Sequence, residues 1–454
     1  MSRTVPKPTS PPVRQTTPAT RLAFHRLLPA ILLVVCGLAF LTYRAYQTLV
    51  LSRPPARLRL GENVPLTAPP PLPTDDSAAL HERLQPLEQM RASVRAHPED
   101  VGAQVDFARK AAAVGDILSS DEAWRAALRH SPQADPVAEE ALGRCQLQLG
   151  LYTDALHTYQ RLLERAPQEA APYIGLSRAQ SALGRNDAAM QTLERAARAL
   201  SASDARGHLG IAAEFEQHGD LPRALAETQA AHASAPDNPD IAVSLAHLLY
   251  DLQRLPEAQR LLEPLVAAHP DNNRARRLLA AILNSPLNPH RDPAQAENQL
   301  LQALEQNARD PDALQRLGEL YQEQGRYRQA AYIYTTLLQV TPDSAAGRLQ
   351  LASTYARLGD ARTGAQQREI ARNLIARDRE EERLITLRNQ RPTDPRTHLT
   401  LARHYLRAGQ LFKAFTELQS AYALSRGGPE ARAELTALYA RIGLPAPALP
   451  GEKP

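Results

Sequence analysis

Among 454 residues the chain has only two cysteines, one tryptophan, three methionines and six phenylalanines. Cys36 sits inside a hydrophobic run and Cys145 lies far along a candidate helix. Neither has a partner at metal-ligand spacing, so no disulfide framework and no zinc site is available. Aromatic residues amount to 5%, and Val, Ile and Thr are sparse as well, which removes the residue types that fill strands. What remains is a sequence crowded with Ala, Leu, Arg and Gln, all good helix formers, at 43% hydrophobic and 22% charged. An all-α globular chain is the expectation.

Acidic residues are missing from the first 59 positions, which carry nine Lys or Arg. The overall charge of +4 therefore leaves about −5 for the rest of the chain. A mildly acidic body without a basic stripe interleaved with aromatics argues against nucleic-acid binding. No phosphate-cradling glycine loop occurs, nor G-x-S-x-G, H-E-x-x-H or C-x-x-C. The expectation is a non-enzyme with no cofactor, no metal and no small-molecule substrate. His398 and His404 are six apart, off any shared ligand face, and read as ordinary surface or groove histidines.

Residues 1–26 read as a disordered basic tail, because a Pro-, Thr- and Ser-rich run without apolar periodicity cannot offset its own chain entropy. From Leu27 to Tyr43 there is no charge, and Arg26 and Arg44 flank the run. It is at the short end of what crosses a bilayer; an apolar continuation to Leu51 and snorkelling arginines extend it. We read 27–51 as an uncleaved transmembrane signal anchor. A cleaved signal peptide would have an unusually long basic region and no A-x-A site, and Cys36 resembles a lipoprotein site only loosely, with Val35 where a small residue belongs. Residues 52–78 form a proline-rich spacer. With a short, wholly basic tail first and a large domain after, the tail is expected in the cytoplasm and the body outside it, periplasmic in a bacterium.

From residue 79 to 428 one spacing recurs near 34 residues: a Leu-Gly or Leu-Ala pair, an aromatic or apolar residue, Gly, Ala, a large apolar residue and Pro. The clearest copy is 311–344, with Leu317, Gly318, Tyr321, Gly325, Tyr327, Ala330, Tyr334, Leu337 and Pro342. A second is 136–169, with Leu142, Gly143, Gly150, Tyr152, Ala155, Tyr159, Leu162 and Pro167. The frame also fits 101–134, 170–203, 205–238, 239–272 and 395–428. It is strained in 273–310, which has a longer turn (NSPLNPHRDP), and in 345–394, where a second helix runs on to about Gln390. Small residues let helices approach, Gly150, Gly184 and Gly325 supply left-handed helix ends, and the closing prolines stop the second helix.

This pattern resembles the tetratricopeptide-repeat (TPR) family, in a membrane-anchored bacterial form. The resemblance implies a right-handed superhelical solenoid of helix-turn-helix repeats with a long concave surface. We place about nine repeats in 79–428, a long helix near 364–390, and a polar-faced capping helix and tail in 429–454. In Arg377–Arg383 (RDREEER), Arg377 is expected to pair with Glu381. Groove-facing positions carried over from the family put Arg144, Arg178, His247 and Arg403 at position nine and Arg407 at position thirteen. These are the candidate protein-binding residues. The Lys and Asn pair of the family's carboxylate-clamp members is not matched, since Glu140/Arg144, Ile174/Arg178 and Leu399/Arg403 stand there. The function implied is a membrane-anchored protein-interaction scaffold. The alternatives are a chaperone-like assembly factor for an envelope complex and a non-catalytic, substrate-presenting subunit of an enzyme.

Overall fold

The structure is a computed structural model that describes residues 76–131 and 135–447. The expected basic tail, the anchor at 27–51 and nearly all of the spacer lie outside those residues. Among the described residues no helix is long and apolar enough to cross a membrane. The chain divides into two compact units, residues 1–59 with 305–308, and residues 60–304 with 309–454. Of the first unit only 305–308 is described, and the helical array belongs to the second.

Every regular element described is a helix. Two short ones come first, α1 (Ser77–Leu84) and α2 (Leu87–Ala96). Pairs succeed them: α3 (Val101–Val114) with α4 (Ile117–His130), α5 (Pro136–Gln148) with α6 (Tyr152–Arg165), and α7 (Ala170–Ala182) with α8 (Asn186–Ala199). Next come α9 (Ala205–Gln217) with α10 (Leu221–Ser234), α11 (Pro239–Asp251) with α12 (Leu255–Ala268), and α13 (Asn273–Asn284) with α14 (Pro293–Gln306). Then α15 (Pro311–Glu323) pairs with α16 (Tyr327–Val340), and α17 (Ala345–Arg357) with the long α18 (Ala361–Gln390). The last are α19 (Pro395–Arg407), α20 (Leu411–Leu424) and α21 (Pro429–Arg441).

Local chemistry sets these boundaries. Asp135, Asn238, Asp310 and Asp394 each cap a first helix with a side-chain oxygen on an early N–H, and in each the next residue is Pro at the first helical position. The residue just past most first helices turns left-handed, with φ 78° at Gly150, 74° at Gly184 and 72° at Gly325, whereas α13 runs into the longer turn with Ser285 at φ −64°. In 239–272 that place falls to Gln253, which adopts φ 60° without being glycine. Close approach is equally literal. A Cβ on Gly175 would lie 2.2 Å from the Tyr159 ring, and one on Gly318 would lie 2.6 Å from Tyr334. Both tyrosines are buried in the core, as the pattern predicts.

One recurring device escapes the sequence pattern. The fourth residue of a repeat reaches back six positions to the carbonyl of the preceding proline: Gln104 to Pro98 at 3.2 Å, Tyr173 to Pro167 at 3.0 Å, Arg276 to Pro270 at 2.9 Å, Arg348 to Pro342 at 3.0 Å and His398 to Pro392 at 3.1 Å. Two of these also grip the second helix nineteen residues on, Arg348 donating to Gln367 at 2.9 Å and His398 contacting Glu417 at 2.7 Å, and His208, at the same place in 205–238, makes only that second contact, to Glu227 at 2.7 Å. The clasp satisfies a turn carbonyl just past the preceding helix, and where it also reaches the second helix it ties three segments together. His398 is thus a buried structural residue, 4% exposed, and not the surface or groove histidine expected.

The expected polar-faced cap on an open end is not what the described residues form. Leu80, Leu84, Leu87, Ile117, Leu118 and Leu149 share one core with Leu411, Phe415, Leu418, Leu435, Leu438 and Tyr439. Around this seam Gln419 accepts from the Leu118 N–H at 2.9 Å and donates to the Gly115 carbonyl at 2.9 Å. The Asp76 carboxylate accepts from the Leu411 N–H at 2.6 Å, and the Ser420 hydroxyl donates to the Gln148 carbonyl at 3.3 Å. Arg91, buried and paired with Asp116, reaches the Tyr439 hydroxyl at 3.3 Å. The stretch expected to offer a polar face carries Ala431, Leu435, Leu438, Tyr439 and Ile442 at helical spacing, an apolar stripe that needs a partner.

Helix α18 is the other departure. Its first half packs on α17 and its last turns contribute Leu384 to a small core with Leu401, Tyr405 and Ala414. Between Leu374 and Leu384 no residue is buried. Arg377 pairs with Asp343 at 3.7 Å and Asp378 at 3.1 Å instead of with Glu381. Glu381 is engaged elsewhere, by Lys413 at 2.9 Å and the Tyr405 hydroxyl at 3.0 Å.

Candidate functional site

The first helices of the repeats place the candidate residues, because groove-facing positions recur on one helical face while the opposite face holds the core. Arg144 and Arg178 line the same cavity, of about 540 Å³, with Leu147, Gln148, Tyr152, Ser181, Gln217 and His218. Neither arginine stands alone. Arg144 lies 3.3 Å from Glu140 on its own helix. Arg178 donates at 2.8 Å through Nε to Glu214, a carboxylate only 1% exposed on the next repeat's first helix. Arg178 therefore neutralises a buried charge as well as lining the wall, and its removal would leave Glu214 uncompensated.

Arg403 and Arg407 line a second cavity, of about 410 Å³, floored by Leu406, Ala437 and Leu438 and edged by Glu434 and Arg441. Arg403 pairs with Glu434 at 2.6 Å, which holds its guanidinium firmly charged. Arg407 donates to the Arg403 carbonyl at 3.2 Å, leaving most of its donors facing outward. An apolar floor beneath arginines suits a segment that is acidic and partly hydrophobic. Two exposed apolar residues share the groove-facing pattern: Val137, at the second position of its repeat, is 57% exposed, and Leu349, at the fifth position, is 41% exposed.

His247 stands apart from both cavities. It lies 3.1 Å from Asp251, and Glu216 from the neighbouring helix joins them so that one ligand atom from each falls within 4.8 Å of the others. All three side chains are exposed. Cys145 is unsuited to nucleophilic work, since burial pushes its thiol up to about 11 and its neighbour at 3.3 Å is the Ser120 hydroxyl.

Tetratricopeptide-repeat profiles match residues 105–170, 146–212, 216–282 and 290–350, across the helix pairs of the array. The chain belongs to the tetratricopeptide-repeat family. TPR repeats suggest a protein–protein interaction scaffold, and Arg144, Arg178, Arg403 and Arg407 lie on the first helices of their repeats. A curated relative, "Cellulose synthase 2 operon protein C" of Komagataeibacter xylinus, is 31% identical over 183 residues, 40% of this chain. The match covers 13% of that protein's length. Among solved structures, a TPR protein from Parabacteroides merdae aligns over 56% of this chain and 98% of its own at 14% identity, with a TM-score of 0.41. The Pseudomonas aeruginosa pilF protein aligns over 44% and 88% at 22% identity, with a TM-score of 0.36.

Proposed function

We propose that this TPR protein is a membrane-anchored scaffold that holds acidic, partly apolar segments of protein partners along its first-helix face, in the periplasm of a bacterium. The observation that carries the reading is the pairing of arginines with apolar floor in the cavity of Arg403, Arg407, Leu406 and Leu438. The second cavity, with Arg144 and Arg178, offers the same guanidinium chemistry in a more polar setting. The anchor rests on the uncharged run from Leu27 to Tyr43.

Of the two alternatives, a specific observation favours the enzyme-associated one. The relative's name ties it to a cellulose synthase operon, so a non-catalytic subunit that serves a polysaccharide-synthesising enzyme is the second reading.

The test is crosslinking in intact membranes and then affinity capture, alongside a chain lacking residues 1–52. A defined partner captured by the full chain, and bound in purified form by the shortened one, supports the scaffold. Substituting Arg407→Glu should then weaken that binding about tenfold or more, by reversing a charge that makes charge-assisted hydrogen bonds. A shortened chain that stays with the membrane would sink the anchor, and unchanged binding by Arg407→Glu would sink the site.

A further inference from the structure

The seam joins segments some 300 residues apart without any covalent continuity across it: Leu118 meets Gln419 over 301 positions and Gln148 meets Ser420 over 272. The segment carrying one side of the seam, 384–444, has its own small core around Leu384, Leu401, Tyr405 and Ala414. It is joined to the preceding repeats through the stretch of α18 between Leu374 and Leu384 that buries nothing. A unit on such a connector can separate from the N-terminal helices without dismantling a repeat core. Once separated, both faces expose leucines and aromatics that water does not tolerate.

We propose that the seam is an exchangeable interface, in which residues 384–444 of one copy dock on the N-terminal helices of a second copy and so link two chains. The polar contacts point to a second copy of this chain as the occupant. Gln419 satisfies two particular backbone groups, the Leu118 N–H and the Gly115 carbonyl, and Asp76 accepts from the Leu411 N–H. An unrelated apolar surface would leave these buried groups unpaired, whereas an identical chain restores each bond. Whether the bonds form within or between chains is then set by concentration against the effective concentration of the tethered segment. The proposal is independent of any groove ligand.

The test uses full-length chains in which Cys36 and Cys145 are replaced by serine. One variant adds Arg83→Cys, another Phe412→Cys, and a third carries both, because the Arg83 guanidinium lies over the Phe412 ring, 4.7 Å from its centroid, so that the two side chains meet at the seam. Treated with a flexible bismaleimide, the double variant should give an internal crosslink and migrate as a single chain. The two single variants, mixed at high concentration in denaturant below the unfolding midpoint, then diluted and treated alike, should give a crosslinked dimer containing one of each. An internal crosslink in the double variant with no mixed dimer overturns exchange, and failure of the double variant to crosslink overturns the seam itself. Should circular dichroism show a variant unfolded, Arg129→Cys and Arg426→Cys replace the pair, because both line one cavity at the seam.

Discussion

The middle of the array and the seam bury similar leucines and aromatics, yet they are built on different terms. In the middle, each helix packs against its immediate neighbours in the chain: Tyr159 fills the space left by Gly143 and Gly175, and Tyr334 that left by Gly318. Such contacts repeat with the sequence and form locally. At the seam the partners are far apart in the chain, so closing it costs loop entropy that only a specific set of contacts can offset. The middle should therefore fail piecemeal, and the seam should fail as one opening.

Tyr159→Ala tests the middle most severely. It removes a fully buried ring that two repeats share, and we expect about 3–5 kcal/mol of lost stability by analogy with other large-to-small aromatic changes. In hydrogen exchange the loss should centre on residues 136–200 and fade along the array. Gln419→Ala tests the seam. It strands the Leu118 N–H and the Gly115 carbonyl in a buried setting, at a cost of about 2–3 kcal/mol. Here exchange should rise together in 76–130 and 399–444, with residues 205–340 unchanged. Equal acceleration everywhere would erase the distinction between the two regions.

The repeat clasp stands between these cases, because it is local but polar. Arg348→Leu removes the bonds to the Pro342 carbonyl and Gln367 while keeping much of the volume, and about 1–3 kcal/mol should be lost. Urea unfolding would read it directly. An unchanged midpoint would mean that the clasp is ornamental to folding.

The same contrast explains which features are legible in the sequence. The helix pairs, the left-handed Gly150, Gly184 and Gly325 and the buried tyrosines are legible, because each obeys a local or periodic rule. The clasp is not, because its fourth position is filled by Gln104, Tyr173, Arg276, Arg348 and His398, which share hydrogen-bonding reach but no residue type. The seam is not, because no period links Leu118 to Gln419. A signal does exist in α21 and the residue that ends it, since Leu435, Leu438, Tyr439 and Ile442 fall at helical spacing on one face and call for a partner. Position in the repeat singles out Arg144, Arg178, Arg403 and Arg407 as candidates, but their division between two cavities and the pairing of Arg178 with Glu214 depend on repeat stacking and have no local signature.

The smallest effect expected is a gain. At the end of α11, Gln253 holds φ 60°, where several other repeats have glycine, as at Gly219 and Gly325. A side chain in the left-handed region brings Cβ against the backbone, which costs roughly 1–2 kcal/mol. Glycine relieves that strain but gives the unfolded chain more freedom, so the two effects partly cancel. We expect Gln253→Gly to stabilise by about 0.5–1 kcal/mol, the part of the strain that survives that cancellation. Gln253→Val should do the opposite and by more, because a β-branched residue fits that region worst. Comparing the two variants by urea unfolding separates backbone strain from loss of the glutamine side chain, which both remove. If both move the midpoint alike, the side chain and not the backbone holds this turn, and the middle of the array is less regular than its glycines suggest.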